Sequence, residues 1–346
     1  MTRFGLRALG FLGGVMLLSS CTLMFPRQAP PVETEPATEQ VGIEPVVESA
    51  VEPILEPVVE PAPPPAPAAS DGPVRTAVVL SDAIPEYAQI AAELVRRGTD
   101  QVTVYYVSVQ PGHDSGVVAE IERADPDRII AVGLPAAILA RRIPGKPMVF
   151  CQAYNYQDHD LVSATSKGVH LLPPFDLQLE AWRAVAPNLR HIGVITGPGH
   201  DERIAEMRRA ATAFDAILAV RTVQSDQEAL LAFQELAPSI EGLWLLPDNR
   251  ILSPDVVKEI LWYSAKHGTQ IATFSERMLE QGALLSSTSV PGDVVDRILA
   301  RFDDVDSDGR LRGPGVLGLT AVQTTVNQRL AARLGLKLPE RLAQSR

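Results

Sequence analysis

From residue 74 onward the apolar positions follow two alternating rhythms. Short uninterrupted runs of Val, Ile and Leu suit strands covered on both faces of a parallel sheet. Between them lie segments whose apolar residues recur every three to four positions, the pattern of an amphipathic helix. Strands are predicted at 76–80, 102–109, 128–132 and 147–150, with helices at 85–97, 115–123 and 135–142. A less regular passage spans 152–174, and the alternation then restarts. Helices are expected at 175–185, 201–214, 225–236 and 254–267, and strands at 191–196, 216–220, 243–246 and 270–274. Two α/β runs on either side of an irregular crossing predict an α/β fold of two lobes. Each lobe is expected to be a mostly parallel doubly wound sheet with helices on both faces, with a cleft between them. A helix at 293–302 is placed back on the first lobe. The boundaries read as 74–174 with 284–315 for the first lobe, and 175–283 with 316–346 for the second.

The first 73 residues follow neither rhythm. Arg3 and Arg7 precede an apolar segment from Ala8 to Leu18, which is too short for a membrane span and ends in Ser19-Ser20-Cys21. This is the order of a secretory signal, and Leu18-Ser-Ser-Cys21 resembles a bacterial lipobox, so lipidation is expected at Cys21. Residues 26–73 carry thirteen prolines among 48 residues, which deny a helix or a sheet ladder its donors. Near-repeats such as Glu52-Pro-Ile-Leu-Glu56-Pro-Val-Val-Glu60 add like charges that repel. An extended tether is expected, reaching on the order of 150 Å as polyproline II. Thr22 stands where an Asp would retain a Gram-negative lipoprotein at the inner membrane, so delivery to the periplasmic side of the outer membrane is expected.

Charge sharpens this division. The net charge of −11 is uneven: residues 1–25 carry +2 and residues 26–73 carry −8, leaving −5 for the remainder. With no basic stripe to neutralise phosphates, nucleic acid is excluded as a partner. Only Cys151 remains beside Cys21, so no intramolecular disulfide is expected and the core must suffice alone.

Candidate chemistry gathers at the carboxyl ends of predicted strands, the edge at which open α/β sheets bind ligands. Asp248 and Asn249, after the run Leu243-Trp-Leu-Leu246, are candidates for a ligand amine or hydroxyl, although Pro-Asp-Asn is also ordinary turn chemistry. Ser81 and Asp82 close the first strand, where Asp82 serves equally as a helix cap. Gly133, Leu134, Pro135 and Ala136 open a helix whose free N–H groups suit a carboxylate. Gly197 lies in the matching turn Thr196-Gly-Pro-Gly-His200, which lacks the Gly-Lys-Thr/Ser of a phosphate loop. Tyr154 and Phe274 read as hydrophobic walls or as plain core. Asp158-His159-Asp160 reads as a solvated loop, and Asp304-x-Asp306-x-Asp308-Gly309 as a polar turn, since Gly315 stands where a calcium loop needs a bidentate Glu. No metal or cofactor site is expected, and without a nucleophile elbow or a base for Cys151 no enzymatic activity is either.

Several segments together resemble one family. They include Ile129-Ile-Ala-Val-Gly-Leu-Pro-Ala-Ala137 with Pro147-Met-Val-Phe150, Gln178-Leu-Glu180 with Ala186-Pro187, and Ile192-Gly-Val194. Gly242-Leu-Trp-Leu-Leu-Pro-Asp248, Gly282-Ala-Leu-Leu-Ser286 and Val326-Asn327 leading to Leu334-Gly-Leu-Lys-Leu-Pro339 follow in order. The family is the bacterial ABC transporter substrate-binding proteins of the type I periplasmic-binding fold, including tryptophan- and tyrosine-binding lipoproteins. The resemblance implies a monomer that closes on a small ligand and presents it to a permease and an ATPase. It is weakest between Asp82 and Ser108 and between Gln152 and Lys167, both expected to border the cleft. An envelope interaction module built on the same fold, without transport, is the alternative.

Overall fold

A computed structural model describes residues 73–343 apart from 83, 99 and 108–113. The signal-like segment, Cys21 and the tether lie outside the described residues. The first lobe opens with β1 (Val74–Leu80), α1 (Pro85–Arg97), β2 (Asp100–Tyr106), α2 (Asp114–Ala124), β3 (Arg128–Val132), α3 (Leu134–Ala140), β4 (Met148–Cys151) and β5 (Ser166–Val169). The chain then crosses into α4 (Phe175–Val185), β6 (His191–Thr196), α5 (Asp201–Ala213), β7 (Ile217–Thr222), α6 (Asp226–Leu236), β8 (Gly242–Trp244), α7 (Pro254–His267), β9 (Gln270–Thr273), α8 (Arg277–Glu280) and β10 (Leu285–Thr288). It returns through α9 (Pro291–Asp303) and β11 (Val316–Leu317), and ends in β12 (Gln323–Val326), α10 (Gln328–Arg333) and α11 (Glu340–Ala343).

These strands form two six-stranded sheets, in the orders β2-β1-β3-β4-β5-β11 and β7-β6-β8-β9-β10-β12. Every pairing is parallel except β10 with β12. Each sheet reverses its order at one point, between β1 and β3 in the first and between β6 and β8 in the second. Each therefore has a crevice at the carboxyl ends of those strands.

The lobe boundaries of the sequence reading need correction at two places. Residues 285–288, assigned to the first lobe, pair with β9 and β12 in the second sheet. Val316–Leu317, assigned to the second, pair with β5 in the first. The crossings thus lie at 170–174, 289–290 and 318–322. These strands are two to four residues long and lack a period, so only their long-range pairing reveals them. The strand β5 likewise lies inside the passage read as irregular.

Apolar residues of β1, β3 and β4 point to both faces of the first sheet. One face packs Ala77, Val79 and Ile129 with α2 and α3, and the other packs Val78, Leu80 and Ile130 with α1 and α9. Val294, Val295 and Ile298 seat α9 there. In the second lobe the indoles of Trp182 and Trp244 meet edge to face at 6.2 Å, and Phe175 meets Trp244 at 5.5 Å. Trp182 Nε1 donates to Gln270 at 2.8 Å and Trp244 Nε1 to Gln178 at 3.2 Å, so both buried indoles are satisfied. Among the described residues no helix is long and apolar enough to cross a membrane.

Candidate functional site

The run Leu243 to Leu246 is buried, and β8 sits between β9 and β6 inside the second sheet. Its continuation through Pro247 delivers Asp248 to the carboxyl edge. There the carboxylate is fully buried and surrounded by donors. Asp248 Oδ1 accepts from Arg250 Nε at 2.8 Å and Asn155 Nδ2 at 3.1 Å, and Oδ2 accepts from Arg250 Nη2 at 2.7 Å and the Gly197 N–H at 3.0 Å. His200 Nε2 stands 3.4 Å from Oδ2. Burial alone would raise this carboxyl, but hydrogen bonds from Arg250, His200 and Asn155 outweigh it and hold the group well below the usual carboxylate range. Gly197 is required here, since a Cβ would stand 2.6 Å from Asp248 Oδ2 and 2.7 Å from Arg250 Nη2.

Asn155 belongs to the connection between β4 and β5, on the first lobe. Its amide bridges Asp248 and Asn249, the latter at 3.0 Å, while its carbonyl oxygen lies 3.1 Å from His200 Nε2. Asp158 of the same connection accepts from Arg250 Nη1 at 3.0 Å. Gln152 Nε2 donates to Ser289 Oγ at 3.0 Å. The passage after β4 of the first lobe is thus stitched to the carboxyl edge of the second. Gln152 takes a left-handed backbone at φ 54°, a cost of about 1–3 kcal/mol in a non-glycine residue that its position at the seam maintains.

Of the sequence-predicted residues, Tyr154, Gly197, Asp248 and Asn249 meet in this seam. Tyr154 is buried and joins the second lobe's core with Phe175 and Trp244. A second group gathers on the first lobe. Ser81 Oγ accepts the Ala136 N–H at 2.8 Å and so serves the first turn of α3. Gly133 stands at φ 92°, and a Cβ there would lie 2.4 Å from Ser81 Oγ. Leu134 packs into the first lobe's core, while Pro135 and Asp82 are exposed. Phe274 lines a groove together with Asp248 and Asn249.

Cavities flank the seam. One, of about 250 Å³, lies between the lobes and is lined by Gln89, Gln152, Phe274, Glu276, Ser287 and Gln323 among others. Another, of about 560 Å³, lies between the β4–β5 connection (Tyr156, Gln157, Val162) and the start of α5 (His200, Arg203, Glu206). A third, of about 1230 Å³, is a groove of the second lobe alone, running from Asp248 and Phe274 along α7 to Trp262, which is 61 % exposed.

Other candidates have structural occupations. Burial pushes the Cys151 thiol up to about 12, which leaves it inert. Asp306 Oδ1 accepts the N–H groups of Asp308 and Arg310 in a hairpin bridged by Val305 and Leu311. Asn155, Arg203 and Gln152 were missed by sequence reasoning. They lie in or opposite the irregular passage, where no periodicity or motif singles them out.

No protein-family model and no curated protein sequence matches the chain. Solved structures do. An ABC domain from Streptococcus pneumonia in complex with L-Trp is 18% identical, with a TM-score of 0.56 over 79% of this chain and 98% of that one. A conserved domain protein from Vibrio cholerae is 17% identical, with a TM-score of 0.55 over 79% and 99%. The open, ligand-free form of CD0873, a substrate-binding protein with adhesive properties from Clostridium difficile, is 14% identical, with a TM-score of 0.57 over 79% and 98%. At such identities the likeness speaks to the fold. Two doubly wound sheets with three crossings between them, and the likeness to these structures along the described chain, give it the two-lobed type I periplasmic-binding fold.

Proposed function

We propose that this protein is an extracytoplasmic substrate-binding protein that holds a small ligand between its lobes. The observation that carries this reading is the meeting of the β4–β5 connection of the first lobe with the carboxyl edge of the second, Asn155 with Asp248 and Asn249, Asp158 with Arg250, beside cavities of ligand size. A ligand that bonds to both lobes stabilises the closed arrangement over the open one and shifts the population accordingly. In this reading Cys21 carries the lipid anchor, the Pro/Glu-rich segment is the tether, the outer membrane is the site of attachment, and the closed monomer delivers its ligand to a permease and its ATPase.

A second reading has its own support. The groove beside Trp262 is a large apolar surface of one lobe, and such surfaces mark protein contacts. An envelope interaction module without transport would use it.

A thermal-shift screen of the purified protein against amino acids, peptides, nucleosides and sugars separates the two. Saturable stabilisation by one class is expected, because only a ligand of the native state raises the midpoint in this way. A flat response across all four classes would defeat the binding-protein reading and leave the interaction module.

A further inference from the structure

The cavity of about 250 Å³ between the lobes carries charge of one sign. Glu86, on the first turn of α1, lines it from the first lobe, and Glu276, just after β9, lines it from the second. Among the described residues that line it there is no Lys, Arg or His. Its remaining polar walls are amides and hydroxyls, among them Gln152, Gln323 and Ser287. Ser287 is 3 % exposed and Gln152 9 %. The Ser287 hydroxyl has no hydrogen-bond partner among the described residues, and Gln152 donates to Ser289 Oγ at 3.0 Å while its carbonyl oxygen accepts no bond from them. A buried polar group left in that way forfeits its hydration, so such atoms in a cavity wall point to an occupant that bonds to them. Gln152 also holds its left-handed backbone here, and strain of that kind collects at ligand clamps.

These acceptors decide the charge of the occupant. Glu276 commits only Oε1, which accepts from Thr325 Oγ1 at 2.8 Å and Gln323 Nε2 at 3.2 Å, and Oε2 is left for a ligand. The half-buried ring of Phe274 offers a face for a cation. The helices α1 and α9 begin at this cavity, with Pro85 and Pro291, and their dipoles alone would favour an anion. Each dipole already meets an acidic side chain of its own first turn, Glu86 and Asp293. A carboxylate in the cavity would therefore face two others with no basic side chain to offset them. An ammonium group would meet acceptors from both lobes.

We propose that this cavity receives a small organic amine that carries no carboxylate, its ammonium group bound by Gln152, Glu86 and Glu276. The two glutamates stand on different lobes. A cation between them replaces their mutual repulsion with an attraction on each side, which couples closure of the lobes to the charge of the ligand. The proposal rests on the ligand-binding reading above and names the class of ligand that the cavity selects.

Calorimetric titration of the purified protein with matched pairs tests it: ethanolamine against serine, putrescine against ornithine, and tyramine against tyrosine, the members of each pair differing by one carboxylate. Saturable binding of at least one amine is expected, with its amino acid weaker by about tenfold or more, the worth of one charge-assisted hydrogen bond. Glu86→Gln and Glu276→Gln should each weaken that amine by about tenfold. Both side chains are exposed, so neither change removes a core contact. An amino acid bound as tightly as its amine, or an amine whose affinity survives both substitutions, overturns the amine site but leaves the binding function standing. Saturable binding found only among the amino acids, peptides, nucleosides or sugars of the thermal-shift screen does the same. If no ligand of any class binds, both readings fall. Because the pairs are compared on the unaltered protein, a variant that fails to fold does not shield the proposal.

Discussion

Asp248 accepts five hydrogen bonds, from Asn155, Gly197 and three donors of Arg250, and is fully buried. Asp248→Asn removes the charge that faces Arg250 and replaces one of two acceptor oxygens by an N–H group, which meets the donors of Arg250 and Gly197 or of Arg250 and Asn155, so it should destabilise the protein by about 3 kcal/mol. The pH signature follows from the sign of the shift. A carboxyl held below its unfolded value stabilises at every pH above about 4, and that contribution is lost only as pH falls toward the folded value. The gap in melting temperature between the native protein and Asp248→Asn should stay level from about pH 8 to 5 and narrow in stronger acid. His170 behaves differently. Burial, aided by Arg203, lowers its imidazole from 6.5 to about 4. The unfolded chain therefore takes up a proton that the folded one refuses, and stability declines as pH drops from 6.5 towards 4. His170→Gln should flatten that slope in thermal scans. Asp248 was legible in the sequence because a strand of large apolar residues ends just before it. Asn155 was not, because its role exists only once the other lobe arrives.

Among the elements, the second lobe shows how closely side chains and backbone are matched. Gly242 opens β8 against the Trp182 indole, and a Cβ there would stand 2.3 Å from Trp182 Cζ2. Gly242→Ala should cost about 1–3 kcal/mol through overpacking. Urea unfolding followed by tryptophan fluorescence should show a lower midpoint at an unchanged slope. The helix α6 is set locally, since Ser225 Oγ accepts the Glu228 N–H at 3.2 Å and the Glu228 carboxylate accepts the Gln224 N–H at 2.9 Å. Such elements were legible. The helix at 254–267 matches α7 residue for residue, because Ser253-Pro254 begins it and Gly268 in a left-handed conformation ends it. The strands β5, β10, β11 and β12 were not legible, for Ser166-Lys-Gly-Val169 and its counterparts carry neither a period nor an apolar run.

Across the whole molecule the seam between the lobes is polar, and so its strength can be tuned. Asn155 bridges it with three contacts at 3.0–3.1 Å. Asn155→Asp would set a second carboxylate against Asp248 and remove the shared donor. Small-angle scattering should then show a larger radius of gyration for the variant without ligand, with little change in far-ultraviolet dichroism. An unchanged radius would mean that Asn155 does not hold the lobes together.

The chain's own order of apolar and polar residues determined the α/β class, the two lobes, most of the helices and the strand ends at which polar residues collect. These are local matters, decided by period, by caps and by runs of branched side chains. What the tertiary structure alone decided is how those ends are used. It turned Ser81 into the partner of Ala136, occupied Asp248 with Arg250 and Asn155, and brought Tyr154, His200 and Arg203 into contact across 49 residues of chain. The physical reason is burial. A polar side chain withdrawn from water takes whichever partner the fold sets beside it, and that partner comes from a different stretch of sequence.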